Sequence, residues 1–172
     1  MNELIIDDID YLNIIEDIIY DEEFLKMMDY VHHGDNRYLH SLRVSYYSYK
    51  ITKALHLDYV AVARAALLHD FFYSDNSKLD FKKKVKMFYK HPKYALRNAK
   101  KISSISIMEE NIILSHMFPI GNTIPKFTES WVVDLVDDYV SILEGLTCKR
   151  SSAVNYAKFR YNFYKEYFLT VW

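Results

Sequence analysis

The stretch VARAALLHDFFYSD, residues 62–75, decides how the rest of the chain is read. From Ala61 to Leu68 only Arg64 is polar, so a helix here is apolar on nearly every side. Such a helix belongs inside a protein, because no face of it prefers water. Yet it finishes on His69 and Asp70, two ionisable residues whose charges are costly to bury without partners. Three roles suit such a pair: capping the helix, satisfying each other in the core, or holding a metal. The doublet alone does not choose among them.

The composition narrows the field. The chain has 172 residues, 51% hydrophobic and 26% charged, which is the profile of one globular domain over residues 1–172. Only three glycines and three prolines interrupt it, so helices run unbroken and the expected fold is all-α. The same scarcity excludes a glycine-rich phosphate or dinucleotide loop. A net charge of −1 argues against a general nucleic-acid surface. Charge is uneven, however: residues 1–30 are acidic, and residues 78–101 are rich in lysine. Both runs read as solvated helix faces, and the basic one also suits drawing in an anionic substrate. Cys148 is the only cysteine, so neither an intrachain disulfide nor a thiolate zinc cluster can form, and its thiol reads as inert. No apolar run reaches the roughly 20 residues of a membrane span, and MNELIIDDID is too acidic for a secretory leader. A soluble, cytoplasmic protein is expected.

Periodicity divides the chain into helices. One is predicted over 8–30, with Ile9, Leu12, Ile15, Ile19 and Leu25 on its apolar surface. HHGDN (32–36) reads as a turn, with Asp35 or Asn36 capping a helix over 37–55. The buried helix is predicted over 58–72, and SDNSK (74–78) breaks the pattern. A lysine-rich helix over 79–89 and another over 92–102 follow, with Pro92 in the first turn of the second. Residues 104–116 form the next, and a loop from Phe118 to Thr128 holds two prolines and a glycine. Thr128 or Ser130 then caps a helix to Leu143, with Trp131, Leu135, Val136, Tyr139 and Leu143 on its apolar face. An aromatic helix over 150–170 closes the chain, either as core or as the face of a homodimer. No alternating strand pattern stands out.

Six polar residues fall where buried helices or helix ends favour something else: His40, His69, Asp70, His91, His116 and Asp137. Neutral imidazoles and carboxylates suit first-row divalent ions such as iron, manganese or zinc. A carboxylate, having two oxygens, can also bridge two ions. Two ions together acidify a shared water and clamp phosphate oxygens, which suffices for phosphoester hydrolysis. Taken singly, each residue has an ordinary alternative: a satisfied core histidine, or an aspartate paired with a lysine or arginine.

Taken in order, the pattern resembles the HD superfamily of metal-dependent phosphohydrolases. The likeness runs through RYLHSLRVSYYSYKITKAL (37–55), VARAALLHD (62–70), HPKYALRNAK (91–100), ILSHMFP (113–119) and WVVDLVDDYV (131–140). It spans about residues 31–145 and is greatest to small bacterial HD-domain proteins. The resemblance implies a compact bundle of six or seven helices, with terminal helices packed on the motif-bearing core. It also implies one metal held by His40, His69, Asp70 and Asp137. Asp70 would bridge to a second metal held by His91 and His116, and iron or manganese would be the ions. The implied activity is hydrolysis of a phosphomonoester or phosphoanhydride of a small phosphorylated substrate, a nucleotide first among candidates, by hydroxide generated between the ions. A low-turnover regulator of the same fold, or an HD-type di-iron oxygenase, is the alternative. Two features depart from the family pattern. Phe71, Phe72 and Tyr73 follow the doublet where many members carry a small residue and a lysine, and Asp138 stands where many carry lysine.

Further candidates lie around this set. Arg37 and Arg43 bracket His40 on one helix face, placed either to bind substrate phosphate or to order an acidic ligand. Lys93 follows His91 by two residues and reads as a phosphate contact or a plain surface lysine. His32 and His33 read as exposed turn residues, and His56 as part of a helix end.

Overall fold

The computed structural model describes residues 6–32, 35–73 and 81–147. Its elements in chain order are α1 (Ile9–Ile19), α2 (Glu22–Leu25), a 3-10 turn (Lys26–Asp29), β1 (Val31–His32), β2 (Asp35–Asn36), α3 (Arg37–Ala54), α4 (Tyr59–Leu68), α5 (Phe81–Ile102), α6 (Ile107–Ser115) and α7 (Thr128–Thr147). The fold is all-α, apart from a two-rung antiparallel pair joining Val31 to Asn36 and His32 to Asp35. No helix among the described residues is long and apolar enough to cross a membrane.

Helix α4 is the hub. It packs against α3 most extensively, and also against α1, α5, α6 and α7. Val62, Ala63, Ala65, Ala66, Leu67 and Leu68 are all fully buried. Three alanines in that set let neighbouring helix axes approach closely, since interaxial distance follows the side chains at the contact. Arg64, the one polar residue, reaches outward to α1. Its guanidinium grips Asp17 with both ends, at 2.7 and 2.8 Å, and also donates to the Ile14 carbonyl at 2.8 Å. A buried relay adds a second tie: Tyr11 donates to Ser45 at 2.8 Å, and Ser45 donates to the Ala63 carbonyl at 2.6 Å.

Several boundaries differ from the sequence expectation, each for a local reason. The predicted helix over 8–30 is broken, because the Asp21 side chain accepts from Glu23 and Phe24 backbone N–H groups and starts a new helix. Its buried face is Tyr11, Ile15 and Ile18, while Ile9 is exposed. Helix α3 starts where expected, with Asn36 accepting from the Leu39 N–H at 2.8 Å. It ends at Leu55, followed by His56 at φ 56°, the left-handed residue that often closes a helix. Helix α4 stops at Leu68, four residues early. There the Phe71 N–H bonds to Leu68 and the Phe72 N–H to Asp70, turning the chain away.

The two helices expected on either side of Pro92 are one, α5, with the proline inside it. A proline forfeits one helix hydrogen bond and loosens the turn before it. In that turn the His91 side chain faces the Met87 carbonyl at 3.3 Å, supplying a side-chain donor. Helix α7 also inverts part of its expected face: Leu135 and Tyr139 are more than half exposed. Val133, Val136 and Val140 point inward together with Asp134, Asp137, Ser141 and Glu144, because the acids have partners inside the bundle. Ser130 does not cap α7; its hydroxyl donates to Asn111 on α6 at 2.8 Å. SDNSK and the aromatic segment expected as a helix over 150–170 lie outside the described residues.

Ala63, Ala65 and Ala66 are fully enclosed and have no room to grow. Ala66→Leu is expected to cost about 1–3 kcal/mol of stability through overpacking. Urea unfolding monitored by circular dichroism would measure it, and an unchanged midpoint would contradict the tight hub.

Candidate metal centre

The turn after α4 puts His69 and Asp70 at the inner end of the hub helix, both buried. Around them converge His40 from α3, His91 from α5, His116 from the end of α6 and Asp137 from α7. The six residues singled out in the sequence thus come together in space, and all six are buried. His40, His69 and Asp137 offer ligand atoms within 4.8 Å of one another, as do His69, Asp70 and His116. His91 joins through contacts of 2.8 Å to His116 and 3.3 Å to Asp70.

Hydrogen bonds fix which nitrogens face the centre. A carbonyl oxygen can only accept, so an imidazole nitrogen beside one must carry the proton. Nδ1 of His69 sits 2.7 Å from the Ala66 carbonyl, and Nδ1 of His116 sits 2.8 Å from that of Ile113. His91 does the same toward Met87. With Nδ1 of each ring at a carbonyl, Nε2 is turned inward. Nε2 of His69 has no hydrogen-bond partner, being 3.6 Å from Asp137. Nε2 of His91 faces Nε2 of His116 at 2.8 Å. At that distance the two nitrogens either share one proton as a hydrogen bond or face a common cation. The donor set fits divalent metal ions.

Protonation follows the same geometry. Burial holds His116 neutral, helped by His69 and His91 beside it, and brings its pKa down to about 3. Burial likewise lowers His91. His40 behaves oppositely. Burial opposes its charge, but Asp137 at 3.0 Å on Nε2 and Glu144 at 2.9 Å on Nδ1 override it and raise its pKa to about 10. For Asp137, burial works against ionisation, yet His69 and His40 hold its carboxyl well below the usual range.

Glu144 is the residue that sequence reasoning missed. It is almost fully buried, and its two oxygens divide between His40 and the Arg43 guanidinium, the latter at 2.8 Å. The signal was present: 137, 141 and 144 share one face of a helix, so Glu144 lies two turns along the Asp137 face. Arg43 is thus engaged behind a candidate ligand. Arg37 is fully buried, donates to the Phe72 carbonyl at 2.6 Å, and has Nε 3.8 Å from Asp70. Phe72, in the place where many family members differ, has the Arg37 guanidinium 3.9 Å from its ring centre and stacks on His91 at 5.0 Å. Asp138 does not face solvent; it is buried. Lys93 is exposed, and no contact joins it to the cluster among the described residues.

The family model of the HD domain matches residues 37–142, and the chain belongs to the HD domain family. That superfamily consists mostly of metal-dependent phosphohydrolases that bind divalent ions. No curated protein and no solved structure matches the chain significantly.

The His40 arrangement has a measurable consequence. Without metal its ring is doubly protonated at neutral pH, and a metal binding at Nε2 must displace that proton. Metal uptake at pH 7 is expected to release at least about one proton per chain, from His40 and from His69, whose protonated form Asp137 also favours, and affinity should tighten as pH rises toward about 10. His91 and His116, already neutral, contribute none. Calorimetry in two buffers of different ionisation enthalpy reads the number, and zero release would refute the pairing. Separately, Glu144→Ala strands His40 and Arg43 in the interior. A loss of about 3–5 kcal/mol in metal-free stability is expected, with Glu144→Gln losing less. Equal stability of both variants and wild type in urea unfolding would exclude this.

Proposed function

We propose that the chain is a phosphohydrolase that cleaves a phosphomonoester or phosphoanhydride of a small substrate, with a nucleotide as the first class to test. One ion would be held by His40, His69, Asp70 and Asp137, and a second by Asp70, His91 and His116. Iron or manganese suits this mixture of imidazole and carboxylate. The observation that carries the reading is the pair of inward Nε2 atoms of His91 and His116, 2.8 Å apart beside Asp70. Those histidines are what a single-ion site would not need.

When bound, two such ions supply hydroxide near neutral pH and neutralise the oxygens of a phosphate. The protein's own residues do the positioning. Asp70 directs Oδ1 toward His91 and His116, and Oδ2 toward Arg37. Asp137 points one oxygen at both His40 and His69. Backbone carbonyls fix the rings of His69, His91 and His116, so no reorientation is needed before reaction. Arg37 and Arg43 we assign to holding Asp70 and Glu144, not to gripping phosphate. Lys93, at the solvent edge of α5, is left as an outer phosphate contact.

Protein purified without chelator should carry about two equivalents of iron or manganese by elemental analysis, falling to about one in His91→Ala and His116→Ala. With manganese supplied, phosphate release from a nucleotide and phosphoester panel should drop more than about 100-fold in Asp70→Ala. Activity that survives Asp70→Ala would sink the mechanism. Two bound ions with no turnover on any ester would favour a regulator of the same fold.

A further inference from the structure

On the far side of the Phe72 ring from His91 the surface opens into a groove of about 400 Å³, which none of the six ligand candidates lines. Its wall shares two residues with the surroundings of His91. Phe72 stacks on that imidazole, and the Met87 carbonyl faces its Nδ1. From there the groove follows α5 past Tyr94 to Arg97 and Lys101, with Tyr73 on the opposite side. Two cations, three aromatic rings and one amide line it, and no carboxylate does among the described residues.

The cations are available. Arg97 is exposed and has no hydrogen-bond or ion-pair partner among the described residues. Among the described residues Lys101 donates to Asn98, at 3.0 Å, and the Asn98 side-chain amide in turn donates to the Phe71 carbonyl, also at 3.0 Å. Glu23, whose carboxylate also feels the Lys101 charge, is engaged by Lys26 and by the Tyr73 hydroxyl. That hydroxyl contact also fixes the Tyr73 ring, while Tyr94 remains 39% exposed on the other side.

Helix geometry sets the spacing. At 1.5 Å per residue, Arg97 and Lys101 lie roughly 9 and 15 Å along α5 from His91. They are thus offset from a phosphate held at the metal centre, and the aromatic rings lie between. We infer that the groove binds the part of the substrate that does not react, and that this part is a planar aromatic ring carrying a second anionic group. The substrate class is therefore an elongated molecule with two anionic ends and a ring between them. Guanidinium and ammonium groups would take the distal anion, and Tyr73 and Tyr94 would flank the ring. This rests on the phosphohydrolase reading above and adds the substrate class to it.

The test compares phenyl phosphate with 4-carboxyphenyl phosphate, which differ by one anion across one ring. Calorimetric affinities are measured on manganese-loaded wild type and on the Arg97→Gln, Lys101→Gln double variant. The second anion is expected to improve wild-type affinity by at least about tenfold, and the ratio should fall to about one in the double variant. Equal affinities in wild type, or a preference that persists in the double variant, overturn the groove assignment alone. If neither compound binds or is hydrolysed, the phosphohydrolase reading fails and the groove assignment with it.

Discussion

The last two turns of α4 are buried on nearly every side, so the helix ends inside the molecule, and the polar centre is arranged around that end. Helix α4 is wrapped by α1, α3, α5, α6 and α7, so its last turn delivers His69 and Asp70 into the interior. Polar groups in such a place require partners, because the interior gives them no water. Four of the surrounding helices provide them: α3, α5, α6 and α7. The bundle is thereby a holder for a polar centre, at the cost of four imidazoles and several carboxylates in its core.

Charge balance explains why that core is tolerable. Asp70 has the buried Arg37 beside it, and Glu144 faces both Arg43 and His40. Each acid is answered by a base on α3, which makes that helix the counter-charge for both α4 and α7. Phe72 completes the arrangement, placed against both the Arg37 guanidinium and the His91 ring. An aromatic ring there lets a cation stay next to Asp70 without a lysine after the doublet, through attraction to the ring face.

Much of this was legible from residues in order. The apolar run ending in His69 and Asp70 announced a buried helix with a polar end, and the four remaining ligand candidates stood at matching places along the chain. What the sequence obscured were features that depend on partners across space. The inner face of α7 was misjudged because Leu135 and Tyr139 outrank Asp137 and Glu144 in hydrophobicity, although the acids have buried bases to meet. Pro92 looked like a boundary, since a proline's local effect is to stop a helix; α5 runs through it with the ring packed into the interior. Asp21 was absorbed into a long helix because its capping bonds compete with, but do not alter, the apolar spacing around it. Groove residues such as Arg97 and Tyr94 were invisible singly, because only the turn at Phe72 and Tyr73 brings an opposite wall to them.

The hydrogen bonds behind the histidines differ in reach. His69, His91 and His116 each lean on a carbonyl three or four residues earlier in their own chain segment, whereas His40 leans on Glu144, 104 residues away. Three rings can therefore be oriented as soon as their own helices form. The fourth acquires its orientation only when α7 settles against α3. Assembly of the centre is thus staged: most of it is written locally into α4, α5 and α6, and the last ligand is licensed by a long-range docking event.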